Sequence, residues 1–282
     1  MTGQGRPGPT RALVLGGGGV TGIAWEIGVL AGLAASDLDL AKANAVFGTS
    51  AGAFVGAAVA SGYDLEVLAA TQSEPDSDEI NVAASQETIA AWFSAFGAGD
   101  ATSVGAAFGE IAKANPEPVP LQVRRTTVEG RLATTEWPDT LRVTAVDADT
   151  GVLHVFDQNS GIALVDAVAA SGAVPGVWPL VRLNGRSWID GGMVSSANAR
   201  LADSFQRVIV LAPMPTGYGA IPGVGDDVAA MQAVARVCLL SPDEESVLAI
   251  GPNPYDPDRR GPAAAAGRLQ GVHMAPTVGA MW

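Results

Sequence analysis

Residues 11–22 read RALVLGGGGVTG and residues 45–52 read AVFGTSAG. Each begins as a short apolar run and stops at a glycine-rich turn. RALVL, residues 11–15, has the look of a buried parallel strand. Beyond the first turn, Ile23, Ile27, Leu30 and Leu33 recur at helical spacing. Ala45-Val46-Phe47 reads as a second strand, and the Ala-rich stretch from Ala51 to Ala70 as a buried helix. Strand, helix, strand, helix in that order predicts an α/β sheet with right-handed crossovers.

Downstream, LRVTAV (141–146) and VLHVF (152–156) flank a turn and predict a hairpin. Leu180–Leu183 and Ser187–Ile189 flank Asn184-Gly185, which predicts another. A short helix is expected over Ile162–Ala170 and a buried strand over Arg207–Ala212. Asp227–Leu240 reads as a helix, VLAI (247–250) as a last strand and the Ala-rich tail as a final helix. Between the two halves, QSEPDSDEIN (72–81) reads as an acidic surface loop. Gln86–Ala114 is helical in pattern, with Trp92, Phe93, Phe96, Phe108 and Ile111 as its large apolar residues, and NPEPVP (115–120) is a stiff break. Residues 72–135 thus read as a helical insertion, with ordinary core helices as the alternative. Residues 1–10 read as a polar, disordered leader.

Composition narrows the partners. The 282 residues are 48% hydrophobic and 16% charged, enough apolar material for a full core. Lys and Arg number 16 against 29 Asp and Glu, a net charge of −13. Such an anion repels nucleic acid and anionic membranes, so any transient membrane contact is expected to be hydrophobic. One cysteine, Cys238, excludes an internal disulfide and a cysteine-based zinc cluster. Ala43–Tyr63 carries no charge, and Gly52 and Gly56 have helix-dimer spacing. With GTSAG inside it and few large apolar residues, a strand, turn and small-residue helix explain it better than a membrane span. The missing signal segment predicts cytoplasmic residence, with peripheral membrane contact.

Three motifs carry chemistry. Gly48-Thr49-Ser50-Ala51-Gly52 matches G-x-S-x-G between a strand and a helix, the context in which a turn lifts a nucleophilic serine out. Gly16 to Gly22, GGGGVTG, also joins a strand to a helix, and its successive N–H groups can gather round an anion. That anion is either an acyl-transfer oxyanion or a dinucleotide pyrophosphate, since Gly17-x-Gly19-x-x-Gly22 has dinucleotide spacing with Asp37 and Asp39 about 20 residues on. Both aspartates, however, precede the second strand instead of ending it. Asp190-Gly191-Gly192 places a carboxylate at a strand end. A serine nucleophile needs a base within reach. His154 falls mid-strand and His273 in a tail without an acidic neighbour, so Asp190 acting directly is the better candidate.

Together these motifs resemble the patatin-like phospholipases, lipid acyl hydrolases with a Ser-Asp dyad. The family pattern of G-G-G-x-R/K-G, G-x-S-x-G and D-G-G/A reads here Gly17-Gly18-Gly19-Val20-Thr21-Gly22, Gly48–Gly52 and Asp190-Gly191-Gly192. Ala169–Pro179 resembles the family's A-A-S-x-A-x-P-x-x-F/W-P segment. The resemblance runs from about residue 11 to 212. It implies a three-layer α/β/α sandwich with a mainly parallel central sheet, forming one hydrolase domain over 11–282. It further implies Ser50 as nucleophile, Asp190 as base, and Gly17, Gly18 and Gly19 as oxyanion donors. No metal or organic cofactor is expected, and the partner is a lipid or other acyl ester. Thr21 stands where the family carries a basic residue. The rivals are a non-catalytic lipid-binding scaffold on the same fold and a nucleotide-dependent oxidoreductase using the Gly16–Gly22 loop.

Overall fold

The computed structural model describes residues 10–74 and 82–282. The expected leader, apart from Thr10, and the acidic stretch at 75–81 lie outside the described residues. The strands are β1 (Arg11–Leu15), β2 (Ala45–Thr49), β3 (Leu141–Asp147), β4 (Leu153–Phe156), β5 (Val181–Leu183), β6 (Arg186–Asp190), β7 (Arg207–Leu211) and β8 (Arg236–Leu240). The helices are α1 (Gly19–Ala34), α2 (Ala51–Ala60), α3 (Leu65–Thr71), α4 (Gln86–Phe96), α5 (Ala101–Ala114) and α6 (Leu121–Arg131), followed by α7 (Leu164–Ser171), α8 (Val224–Met231), α9 (Glu244–Ile250) and α10 (Arg260–Met281).

The eight strands of the described residues form one sheet. β3, β2, β1, β7 and β8 lie side by side and parallel, while β4 and β6 pair antiparallel with β3, and β5 with β6. Because strand side chains alternate, β1 buries Leu13 and Leu15 on one face and Ala12 and Val14 on the other. The first face is covered by α1, α2, α7 and α10. The second is covered by α8 through Val224, Val228 and Met231, and nearer β6 by α5 through Val104, Phe108 and Ala112. Both faces of a parallel sheet are thus dry, as its continuous apolar strands require.

Both expected hairpins form, the second turning at Asn184 and Gly185 with φ of 51° and 75°. The helix expected over Ala51–Ala70 is two, α2 and α3. Ala60 ends the first, Gly62 turns the chain with φ +71°, and Asp64 caps the second. Gln86–Ala114 is likewise two helices, the second capped by Asp100. Two expectations near the C-terminus are corrected. The helix read over Asp227–Leu240 stops at Met231, and Arg236–Leu240 is strand β8 beside β7. A five-residue apolar run fits strand or helix alike, and the open edge of β7 decides it. VLAI is not a strand but the end of α9, whose start is fixed by Asp243 accepting from the Ser246 N–H and by Glu244 and Glu245 in the first turn.

Candidate active site

Ser50 sits where β2 turns into α2, with φ +54° and ψ −113°. A non-glycine residue in that region costs about 1–3 kcal/mol and must be held there by its surroundings. Here its own N–H donates to Ser171 Oγ at 2.8 Å. The Gly52 N–H donates to the Gly16 carbonyl at 2.9 Å, pressing the turn onto the end of β1. Only glycine fits at position 52, because a Cβ there would lie 2.1 Å from the Leu15 carbonyl oxygen. Gly48 is similarly confined, with a Cβ falling 2.5 Å from the Gly52 carbonyl oxygen, while Gly22 has more room, 3.3 Å from Pro213 Cβ.

Strand register explains how Asp190 reaches this turn. Val143–Val146 pair with β4 along one edge of β3. The other edge is shared, Leu141–Thr144 by β2 and Ala145–Asp147 by β6. β2 runs parallel to β3 and β6 antiparallel, so the two strands meet head-on. Their last residues, Thr49 and Asp190, oppose the neighbours Thr144 and Ala145. The junction is tied by polar side chains. Thr49 and Thr144 hydroxyls lie 2.8 Å apart, and Asn198 Nδ2 donates to Thr49 Oγ1 at 3.0 Å and to the Gly191 carbonyl at 3.1 Å. Gly191 lies against Thr144.

Asp190 is 1% exposed. Burial pushes its carboxyl up from 3.8 to about 6. A hydrogen bond donated by the Ser50 hydroxyl, the N–H of Gly192 at 2.6 Å and the charge of Arg124 each pull it partly back. The result is a buried carboxylate whose basicity falls near neutral pH and whose partner is a serine hydroxyl.

In the glycine loop, Gly17 faces Ser50; a Cβ on it would lie 3.4 Å from Ser50 Cβ. Its N–H, expected as an oxyanion donor, is engaged by the Ser196 carbonyl at 2.7 Å. Gly16 donates to the Leu211 carbonyl and to the buried Glu26. Burial holds the Glu26 carboxyl well above its ordinary range. Among the described residues, no acceptor takes the N–H of Gly18 or Gly19. Gly19 has φ +62°, and a Cβ on it would lie 2.4 Å from the Pro254 carbonyl oxygen. The room left by Gly18 is filled by Pro213. The dinucleotide reading fares poorly beside this packing. Asp37 lies in a left-handed turn and Asp39 caps Ala41, both on the link between α1 and β2.

Neither histidine lines the Ser50 cleft. His154 is half-buried with its ring edge-on to Trp188, and His273 is exposed on α10. The cleft is walled by Val20, Ile23, Phe54, Arg124, Trp178 and Tyr255. It adjoins a cavity of about 360 Å³ that shares Val20, Ile23 and Phe54 with it. The aromatic residues of the central helices divide: Phe96 and Phe108 pack edge to face in the core, Trp92 donates to the Pro175 carbonyl, and Phe93 is 64% exposed.

Ser171, Asn198 and Arg124 were not singled out from sequence. Ser171 lay inside the Ala169–Pro179 segment, which marked it as worth attention. Asn198 and Arg124 carry no local signal, because their partners lie far away in the chain.

Residues 13–203 match the family model for patatin-like phospholipase. The chain belongs to the patatin-like phospholipase family. The match covers about two thirds of the chain and includes both Ser50 and Asp190. The family places the chain among lipid ester hydrolases in general. Among solved structures, the crystal structure of VipD from Legionella pneumophila is similar, with a TM-score of 0.51 and 12% identity over 96% of this chain and 67% of that one. That likeness speaks for the patatin-like fold. The type III effector protein ExoU gives a TM-score of 0.46 and 17% identity over 96% of this chain and 54% of that one. No curated protein matches. Among the described residues, no helix is long and apolar enough to cross a membrane, and no three His, Cys, Asp or Glu side chains gather as for a metal ion.

Proposed function

We propose that the chain is a serine acyl hydrolase that cleaves carboxylic esters of lipids through Ser50 and Asp190. The observation that carries this reading is the head-on meeting of β2 and β6 on one edge of β3, which brings the buried Asp190 to the Ser50 turn, where burial pushes its carboxyl up to about 6. Above that pH the carboxylate takes the Ser50 proton as Oγ attacks the ester carbonyl. The Gly18 and Gly19 N–H groups are the donors for the oxyanion, with Gly17 backing the loop against Ser50. Their fixed orientation fits catalysis by preorganised dipoles, where one donor contributes about 10²–10³ in rate. Asp190, now protonated, gives its proton to the leaving alkoxide. It then draws a proton from water as the water oxygen attacks the acyl-enzyme, and returns that proton to Ser50 Oγ as the Oγ–acyl bond breaks and the acid leaves.

One wall of the cavity beside the cleft, formed by Val20, Ile23, Ile27, Phe54 and Val55, offers an apolar surface to an acyl chain, while Gln72, Glu74, Arg131 and Arg260 make the lining polar elsewhere. Residues 11–282 form one hydrolase domain in this reading, with 72–135 as its helical insertion. Contact with a lipid surface is transient and apolar, with the exposed Phe93 as one side chain to make it.

The test is hydrolysis of p-nitrophenyl esters from short to long acyl chains by wild type, Ser50→Ala and Asp190→Asn. Turnover by wild type, with both variants at background, supports the dyad. Full activity in Ser50→Ala defeats it. Bound fatty acid without any Ser50-dependent turnover favours a scaffold instead.

A further inference from the structure

The link between α9 and α10, residues 251–259, lies beyond the residues that match the family model, yet it helps to build the Ser50 cleft. The Pro254 carbonyl accepts from the Thr21 N–H at 3.2 Å and from the Thr21 hydroxyl at 3.4 Å, which ties the link to the start of α1. The same carbonyl leaves no room for a Cβ on Gly19. Asn253 Oδ1 accepts the Tyr255 N–H at 3.1 Å and fixes the turn that follows. Tyr255 is thereby set beside the glycine loop. Its ring packs against Val174, Val177 and Trp178, and it lines the cleft together with Val174 and Trp178. No described residue pairs with its hydroxyl. Burial and the charge of Asp190 hold the phenol well above its ordinary range, so through neutral pH it is a neutral O–H donor. Arg124, by contrast, is engaged by the Trp178 ring and the Gly172 carbonyl. The free volume of the cleft is about 20 Å³, close to what one water fills. A carbonyl bonded to Ser50 Oγ there is pressed against the walls.

We propose that Tyr255 is a third donor to the oxyanion, its hydroxyl closing the site that the Gly18 and Gly19 N–H groups open. This rests on Ser50 being the site of acyl transfer. As Ser50 Oγ bonds to the carbonyl carbon, the C=O π pair moves onto the oxygen and Asp190 holds the Ser50 proton. The Tyr255 O–H then turns onto that oxygen and keeps its own proton. When the intermediate collapses, the pair returns to the carbonyl, the bond from carbon to the leaving oxygen breaks, and the phenol is released unchanged. The tie between Pro254 and Gly19 puts Tyr255 on the oxyanion side of Ser50, leaving the side of Asp190 to the departing alcohol. A donor packed among apolar side chains needs little reorganisation as the charge develops. The oxyanion site is thus completed by a segment that the family model does not reach.

The experiment compares the full-length wild type with Tyr255→Phe, which removes the hydroxyl and keeps the ring. On p-nitrophenyl esters kcat should fall about 10- to 10²-fold while KM moves less than about threefold, because the bond is made to the transition state. A trifluoromethyl ketone, which Ser50 converts into a tetrahedral adduct with a charged oxygen, should lose affinity by a similar factor. Melting temperature should stay at the wild-type value, since the hydroxyl bonds no described residue. Tyr218→Phe, whose ring stacks on Phe96 and does not line the cleft, should change none of these. Unchanged kcat and ketone affinity in Tyr255→Phe overturn the proposal. A raised KM with unchanged kcat overturns it as well, since the ring is then only a wall of the cleft. Labelling of Ser50 by a fluorophosphonate separates the two claims. Labelled wild type with an unaffected Tyr255→Phe removes the third donor and leaves the dyad standing, whereas wild type unlabelled at Ser50 defeats the dyad and the donor with it. The ketone and the label need no turnover, so the comparison holds whichever ester the protein takes.

Discussion

The backbone N–H of Ser50 donates to the hydroxyl of Ser171 at 2.8 Å, although 121 residues separate them. Ser171 ends α7 and is fully buried, so the bond fastens the strained serine turn to a rigid element. Ser171→Ala removes the acceptor and leaves a partly buried N–H unsatisfied. The expected cost is about 1–3 kcal/mol in unfolding free energy. Loss of alignment should lower kcat roughly tenfold or more, with a smaller effect on KM. Thermal unfolding and steady-state kinetics check both, and an unchanged kcat would show that the turn holds its shape without Ser171.

Asp190 carries a stability cost that follows from its burial. Burial pushes its carboxyl from the ordinary 3.8 up to about 6 in the folded state. Below the lower value both states are protonated and there is no cost. Between the two values the unfolded chain has lost the proton and the native one keeps it, so stability falls as pH rises. Above about 6 the full cost of roughly 3 kcal/mol is present. Asp190→Asn should therefore be inactive yet more stable than wild type at pH 7–8, with the gain fading toward pH 4. Urea unfolding at several pH values measures this. Destabilisation at pH 8 would mean that Arg124 and the Ser50 hydroxyl favour the charge more than burial opposes it.

The same titration sets the activity profile. kcat/KM should rise about tenfold for each pH unit below 6 and level off above it, following one ionisation. With no histidine in the cleft, His154→Gln and His273→Gln together should leave the profile in place. A second inflection near neutral pH that the double variant abolishes would contradict a base made of Asp190 alone.

Gly19→Ala should be severe. The residue holds φ +62° and sits against the Pro254 carbonyl, so an alanine must shift the loop that faces Ser50. The expected result is a loss of kcat of about 10²-fold or more from a misplaced oxyanion donor. Melting temperature should fall with it. Ester kinetics on the purified variant measure the first, and wild-type kcat would remove Gly19 from the proposed oxyanion site.

What was legible in the sequence follows the range of the interactions. Each strand–glycine–helix unit and the Asn184-Gly185 hairpin are local, so pattern and turn chemistry expose them. The pairing of Ser50 with Asp190 is legible in the sequence because a serine needs a base, the histidines sit in unsuitable contexts and the motifs resemble a Ser-Asp dyad family. Its cause is the sharing of one β3 edge by β2 and β6, which no periodicity reveals. Arg236–Leu240 was misread because five apolar residues carry no decisive period, and the free edge of β7 makes them a strand. Asn198 and Arg124 act through partners more than 40 residues away, on Thr49 and at Gly172, so their own neighbourhoods say nothing of the contact.

The central claim is that Ser50, activated by Asp190, is the nucleophile. The most direct measurement is peptide mass spectrometry after reaction with a fluorophosphonate probe. The account predicts one adduct, on the peptide that contains Ser50, lost in Ser50→Ala and formed at least about 10²-fold more slowly in Asp190→Asn. An adduct on another serine, or equal labelling of wild type and Asp190→Asn, would contradict it.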